Sequence, residues 1–551
     1  MHESDVLDIV TDAGFMINED AVTEILSKKN PRLFLQNLLE NLDNSVFIID
    51  YKNVSDFSND KYAGSESAEE IDNSEEIDNV EGFDNSKEID YMEEIDNSKK
   101  IDYMEEIDNA GKIDKPEEII NSNISRKSFY SFDENIVEVI SDVTGNSTCV
   151  GSYDIFVKYF RDRYTKISEM IRSRVNARPI ESISASRNMR SFSRDESFNE
   201  MTIIGLVSEK NTTNNQHLIV VLEDPTGTFP VLFNKNDNEL IEDASSLILD
   251  EVVGITGKLS GDGGILMASK IIRPDVPNIF PVRNSIDGYA VFISDVHVGS
   301  KEFMKYEWSL FIDFLNGKSE NPNLVSLSEK IRYLVVAGDL VDGVGIYPSQ
   351  EEDLEIKNIL EQYKAAGEYF KQIPKDIHII IGPGNHDAVR RAEPQPAFSE
   401  EIKKYFPENV TFVGNPALIS LDGIRVLMYH GCSMDDMVAT IKGVTYEEPT
   451  SGMVEMVKRR HLASTYGSRV IIAPESTDYM VIDEIPDIIH CGHVHTVGID
   501  YYKNILLINS GTWQSQTDFQ KKVNIKPDPA KVPIVNLRTM RAKYLDFNVH
   551  D

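Results

Sequence analysis

Apolar residues recur along this chain in three rhythms, and each predicts a different kind of element. Near the start the spacing is helical. Val6, Leu7, Ile9 and Val10 predict a helix over Asp5–Ala13 closed by Gly14, Asn18 can cap a second, and Pro31 opens a third carrying Leu33, Phe34, Leu35, Leu38 and Leu39. Residues 1–50 thus read as a small helical module with a marginal core, suited to docking on a partner or to standing as a mini-bundle. A stronger helix is predicted over Tyr153–Arg174, where Phe156, Phe160, Tyr164, Ile167 and Ile171 fall three and four apart. Its other face holds Lys158, Arg161, Arg163, Lys166, Arg172 and Arg174, which reads as a solvated face. This helix dominates a lead-in segment, residues 128–196, that ends in a polar Arg/Ser loop over Glu181–Ser197.

From Met201 the rhythm shortens to strands. Met201–Val207, His217–Glu223, Thr228–Phe233, Glu251–Lys258 and Ile265–Ile272 are the candidates, with a short helix near Leu240–Leu247 between the third and fourth. Five strands with a helix in that slot predict a Greek-key barrel of the oligonucleotide-binding (OB) type over residues 197–280. Such barrels hold single strands or simply pack, and the pattern does not choose between these uses.

The third rhythm has a period of six. Ile71, Ile77, Phe83, Ile89, Ile95, Ile101, Ile107 and Ile113 are each followed by Asp. A period of six keeps no stripe on a helix of 3.6 residues per turn, and a parallel hexapeptide coil would stack carboxylates. Residues 65–118 carry 21 acidic and 5 basic side chains, a net of −16 within a total of −37. High like charge with little apolar content predicts a disordered acidic linker over residues 51–127. The rest of the chain is acidic too, so phosphate contacts must rely on local patches or on metal ions. Three scattered cysteines, Cys149, Cys432 and Cys491, argue against disulfides or a thiolate zinc site. Neither a signal peptide nor a bilayer-spanning run is visible in the 551 residues, so a cytoplasmic protein without a membrane partner is expected.

Beyond Pro281 come short apolar strands that each end in metal-ligand residue types. Tyr289–Ile293 leads into Asp295-Val296-His297, and Arg332–Ala337 into Gly338-Asp339 with Asp342. Ile377–Ile381 leads into Gly384-Asn385-His386-Asp387, Arg425–Tyr429 into His430-Gly431, and Ile488–Cys491 into Gly492-His493-Val494-His495. Residues at the carboxyl ends of strands in a layered α/β fold converge on one crevice, and helical patterns such as Glu351–Phe370 would cover the sheets. Two divalent cations about 3.5–4 Å apart need a bridging carboxylate with imidazole, amide and carboxylate donors around them. Asp295 and His297 can reach one ion, His493 and His495 can place one imidazole on each, Asp339 suits the bridge, and Asn385 and His430 complete the second. The mixed oxygen and nitrogen set fits Mn²⁺, Fe²⁺ or Zn²⁺ better than Ca²⁺. His386 is a candidate proton donor to the leaving oxygen, with Asp387 as the group that orients its ring. Arg390 is a candidate phosphate contact, while Asp342 reads equally as a turn residue. His378 and His490 sit inside apolar strands and read as core histidines; His217, His461 and His550 carry no ligand assignment. Trp513 suits loop packing better than base stacking.

These five blocks, in this order, resemble the calcineurin-like metallophosphoesterase superfamily. The resemblance implies a β-sandwich flanked by helices over residues 281–551. It also implies one ion on Asp295, His297, Asp339 and His495 and another on Asp339, Asn385, His430 and His493. The surrounding text narrows it. Gly384-Asn385-His386-Asp387-Ala388-Val389-Arg390 running into Pro394-Gln395-Pro396-Ala397, the Tyr153 helix ending in Ala177-Arg178-Pro179-Ile180, and Ser515-Gln516-Thr517-Asp518-Phe519-Gln520 ahead of Asn524–Ala530 resemble the small subunit of archaeal family-D DNA polymerase. The fold expected is multidomain α+β: helical module, OB barrel, sandwich. The function implied is a 3′→5′ exonuclease that proofreads a single-stranded or mismatched primer end in a heterodimer with a large catalytic subunit. A sliding clamp is a further candidate partner. Mn²⁺ is the foremost cofactor, with Mg²⁺, Fe²⁺ and Zn²⁺ as alternatives. Related eukaryotic small subunits lack the ligands and are structural, whereas this chain keeps every ligand type. A scaffold without activity and a free-standing recombination-type nuclease are the competing readings; the barrel and tail speak against the latter.

Overall fold

The computed structural model describes residues 136–183 apart from 149, 200–278, 287–549 apart from 523 and 524, and short stretches within 6–54. The acidic hexad repeat, the Glu181–Ser197 loop beyond residue 183, and Cys149 lie outside the described residues. The chain divides into two compact units, residues 1–97 and 98–551. In the first, helices Glu19–Leu26 and Pro31–Asn41 accompany a parallel pair of two-residue strands, Met16–Ile17 and Ile48–Ile49. Val22, Ile25, Phe34, Leu35 and Leu38 are buried together, as their spacing predicts. The expected Asp5–Ala13 helix is described only at Val6, Ile9 and Val10, which are helical.

In the second unit the barrel has the predicted layout. Strands Met201–Thr212, Leu218–Asp224, Gly227–Phe233, Leu266–Ile272 and Val252–Leu259 pair in that order, and the last closes antiparallel on the first, Met201 opposite Gly257. Helix Asn238–Ser245 fills the gap between third and fourth strands, capped by Asp237, whose carboxylate accepts the Leu240 N–H at 3.1 Å.

Two six-stranded sheets form the larger body. One runs Val410–Phe412, His378–Gly382, Ile331–Ala337, Tyr289–Ile293, Lys531–Asn536, Ala542–Asp546; its first four strands are parallel. The other runs Gly498–Tyr502, Ile505–Asn509, Ile488–Cys491, Ile424–Met428, Ala417–Leu421, Val137–Asp142. Strand alternation sorts their side chains into three layers. Phe292, Val335, Ile380, Val426, Ile488 and Ile508 meet between the sheets. Val291, Leu334, Val336 and Ile379 point the other way, onto Trp308, Phe311, Tyr363 and Phe370 of helices Lys305–Leu315 and Ile359–Phe370. On the opposite flank Leu427, Ile489 and Leu507 meet Met434, Met437, Met453 and Met456 of helices Met434–Thr440 and Pro449–Arg459. The result is helices, sheet, sheet, helices.

Two findings depart from expectation. The lead-in segment, read as helical, begins with a strand, Val137–Asp142, which adds an antiparallel edge to the second sheet against Ala417–Leu421. The helix that follows, Tyr153–Arg172, does not present a uniformly solvated basic face: Arg163 is fully buried. The helix lies against both the barrel and the sandwich, and its buried cation is met from each side. Arg163 Nε donates to Asp478 (2.7 Å), Nη1 to the carbonyls of Ser464 (2.5 Å) and Asp250 (3.1 Å), and Nη2 to the Tyr159 hydroxyl (2.7 Å). Among the described residues no helix is long and apolar enough to cross a membrane.

Candidate metal centre

Every sequence-predicted ligand arrives at one edge. Parallel strands Tyr289–Ile293, Ile331–Ala337 and His378–Gly382 deliver Asp295 with His297, Asp339, and Asn385 with His386; strands Ile424–Met428 and Ile488–Cys491 of the other sheet deliver His430, His493 and His495. The turns that do this are unusual. Asp295, His297, Asp339, His493 and His495 all sit at positive φ, between 51° and 69°. Asp and His tolerate this left-handed region better than bulkier residues, but each still carries backbone strain of about 1–3 kcal/mol that the surrounding sheets must impose. Gly384 and Gly492 answer to crowding: a Cβ on Gly384 would collide with the Asp339 carboxylate, and one on Gly492 with the side chains of Asp295 and Ser294.

The donors form two overlapping clusters. Around Asp295, His495 Nε2 is 3.3 Å from Oδ1, His297 Nε2 is 3.9 Å from the same oxygen, and the two imidazole nitrogens are 3.1 Å apart. Around Asn385, Oδ1 is 3.0 Å from His430 Nε2 and 3.1 Å from His493 Nδ1. Asp339 joins them, its Oδ2 3.3 Å from His430 Nε2 and 4.0 Å from His297 Nε2.

The second nitrogen of each ring is engaged outside. His297 Nδ1 donates to Asp342 (3.0 Å), His430 Nδ1 to the Ala337 carbonyl (2.8 Å), His386 Nδ1 to the Asp342 carbonyl (2.7 Å), and His493 Nε2 faces Asp435 (3.3 Å). His495 Nδ1 is held by the Gln520 amide at 2.9 Å. Donation outward fixes the tautomer of each neutral ring, so that once the inner proton is displaced the inner nitrogens of His297, His430 and His493 can present lone pairs to the centre.

The residues present fit a cation. Asp295 Oδ1 is buried with no well-formed hydrogen bond, its polar neighbours being the imidazole nitrogens of His495 (3.3 Å) and His297 (3.9 Å), a place where a carboxylate oxygen is costly without a cation. Burial raises the Asp339 carboxyl, yet His430 and His386 outweigh it and hold it well below the usual range. Burial lowers His430, and Asp339 in turn pushes it up to about 10.

Four similarities to known proteins bear on the chain. Residues 290–497, which contain all seven ligands, match the family model for the B subunit of DNA polymerase alpha/epsilon, and residues 201–272 match an OB-fold nucleic acid binding domain. The DNA polymerase II small subunit of Archaeoglobus fulgidus is 45% identical over 398 residues, covering 72% of this chain and 78% of that one. Its counterpart in Methanocaldococcus jannaschii is 43% identical over 413 residues, covering 74% and 68%. The chain belongs to the small-subunit family of archaeal DNA polymerase II, the family-D enzyme.

In this family-D small subunit two expected roles change hands. Asp387 does not orient His386: its carboxylate accepts from the N–H groups of Gly384 (2.9 Å) and Leu340 (3.2 Å) and from the Tyr363 hydroxyl (3.0 Å). Burial, reinforced by Asp339, raises that carboxyl to about 7. Asp342 takes the orienting part for both His386 and His297, being fixed itself by Gln350 (3.1 Å) and Gln514 (3.1 Å). Arg390 is not free for a phosphate; Nη1 pairs with buried Glu475 at 3.0 Å and Nε donates to the Pro394 carbonyl at 2.9 Å. Asp435 and Gln520 are supports that sequence reasoning missed, although Asp435 follows His430-Gly431 closely and Gln520 lies in the tail that carries the family resemblance. His490 is a fully buried core histidine bonded to Ser510, His378 is half-buried and bonded to Thr411, each at 2.8 Å, and Trp513 packs edge-on against Trp308.

Asp342→Asn should therefore weaken Mn²⁺ binding by roughly 10–100-fold while leaving the fold intact, because it removes the carboxylate that fixes His297. Titration followed by the Mn²⁺ electron paramagnetic resonance signal measures it, and an unchanged affinity would remove Asp342 from the metal centre.

Proposed function

We propose that this small subunit is a metal-dependent 3′→5′ exonuclease that clears mismatched primer ends for the large catalytic subunit with which it pairs. What supports the reading is the orientation of the imidazoles: each outer nitrogen is tied down while inner nitrogens and three acidic or amide groups converge on one centre. Two divalent cations, Mn²⁺ foremost, would be held by Asp295, His297, Asp339 and His495 and by Asp339, Asn385, His430 and His493. They would supply Lewis acidity toward the phosphodiester and the attacking water. The chain's own groups do the rest. His386 Nδ1 donates to the Asp342 carbonyl, so Nε2 is the atom left to take up a proton and deliver it to the departing sugar oxygen. Nε2 lies 3.9 Å from Asp339 Oδ2, beside the ligand cluster. The cavity in front, about 560 Å³, has Tyr347 and Tyr446 on its walls and suits a frayed terminal nucleotide better than a duplex.

Single-turnover degradation of a 3′-mismatched primer in Mn²⁺, by the chain alone and with its large subunit, tests the proposal. His386→Ala should slow the reaction by about 10²–10⁴-fold with primer binding retained. An intact mismatched primer after incubation with the unaltered protein would instead favour the scaffold reading.

A further inference from the structure

Arg390, the cation that the sequence offers for phosphate, is consumed by Glu475, yet an acidic site still has to hold a polyanion. The active cavity is lined by Asp339, Asp342, Asp435 and Glu447. Among the described lining residues Arg469 is the only lysine or arginine, and among the described residues no hydrogen bond or ion pair engages its guanidinium. Arg469 is exposed and stands beside these four carboxylates in a chain of net charge −37.

Its placement is built. Asp436 Oδ1 accepts the Arg469 main-chain N–H (3.1 Å) and the Ser468 hydroxyl (2.7 Å), pinning the loop that carries the side chain. The preceding residue, Asp435, faces His493 Nε2 (3.3 Å) and accepts the Tyr446 hydroxyl (2.9 Å). Helix Met434–Thr440 thus supports a metal-centre histidine with one carboxylate and fixes the Arg469 backbone with the next. The loop is anchored further along as well, where Asp478 meets Arg163. A fixed backbone presenting a free planar guanidinium is an arrangement that can grip a phosphate through paired N–H donors.

We propose that Arg469 contacts a backbone phosphate of the bound single strand, next to the scissile bond, and is the principal cationic grip that this chain gives its substrate. This rests on the nuclease reading above and adds to it the residue that holds the strand.

The test uses the full chain in Mn²⁺ with a 5′-fluorescent single-stranded oligonucleotide whose terminal linkages are phosphorothioates, followed by anisotropy across a salt series. Arg469→Ala should weaken binding about tenfold and reduce the slope of log affinity against log salt by about 0.7, one counterion on a single strand. Arg469→Lys should keep the slope. Arg391→Ala, the same loss of charge on an exposed neighbour, should change neither. An unchanged slope in Arg469→Ala, or an equal loss in Arg391→Ala, overturns the assignment. Degradation of the unmodified oligonucleotide in parallel separates the two proposals. If the unaltered chain degrades it and Arg469→Ala binds as well as before, the nuclease stands and the Arg469 grip falls. If the unaltered chain neither binds nor degrades the strand, both fall.

Discussion

Asp339→Asn should abolish primer degradation, by on the order of 10³-fold or more, well beyond the roughly 10–100-fold that a change outside the ligand set costs. Asp339 is where the two donor clusters meet, its Oδ2 3.3 Å from His430, 3.9 Å from His386 and 4.0 Å from His297. Asparagine is the informative replacement. It tolerates the left-handed backbone (φ 51°) that alanine would strain, and it keeps an oxygen for the His386 N–H, now 2.8 Å from Oδ1. What is lost is the charge and the second oxygen, whose place facing the histidines is taken by an amide NH2. A second readout follows from linkage: an ion that binds the folded protein at 100 times its Kd raises stability by about 2.7 kcal/mol. Excess Mn²⁺ should therefore raise the thermal midpoint of the unaltered protein and barely move that of Asp339→Asn. If the variant degrades primer at the original rate, or gains as much from Mn²⁺, the bridging assignment is wrong.

The convergence of the candidate ligands is legible in the sequence because its information is local. Each is a short polar block at the end of an apolar run, and a strand's carboxyl end has a known destination in a layered fold. The barrel was legible for a similar reason, since five strands with a helix in one slot leave few closures. What stayed hidden depends on partners distant in sequence. The Val137–Asp142 strand pairs through its backbone with Ala417–Leu421, and main-chain pairing leaves no mark on side-chain pattern. Asp387 stands beside His386 in sequence, but the turn aims its carboxylate at Gly384 and Leu340, while Asp342, 44 positions from His386, supplies the carbonyl that orients the ring. Arg390 looked exposed beside the motif, and Glu475 claims it from 85 positions away. Helical periodicity ranks Arg163 with five other cations; only the packing of barrel and sandwich on opposite sides of that helix singles it out.

Arg163→Met should destabilise the protein by about 3–5 kcal/mol, read as a lower urea midpoint at pH 7, because it strands a buried carboxylate. Arg163 and Asp478 are both fully buried, 2.7 Å apart, and His461 Nε2 shares the same Asp478 oxygen at 2.9 Å. Burial alone would raise Asp478, but Arg163 and then His461 hold it well below the usual carboxylate range. Burial, with Arg163 next, lowers His461 to about 4. The signs give the pH dependence. A histidine whose folded value lies below its unfolded one, about 6.5, binds a proton first in the unfolded chain, so stability falls as pH drops from about 6.5 to 4. The loss is about 3 kcal/mol at most. Asp478, depressed, keeps its contribution above the ordinary carboxylate value of about 3.9 and loses it progressively as pH falls from there toward its lower folded value. Without Arg163 the histidine faces Asp478 alone and its value rises, so the Arg163→Met protein, though weaker at pH 7, should lose less on acidification across that window. The cost of removing one partner also differs from the cost of removing both: Arg163→Met with Asp478→Leu should recover part of the lost stability, since no charge is then left buried. Equal urea midpoints at pH 7, or parallel pH slopes for variant and parent, would show that this cluster does not clamp the helix between barrel and sandwich.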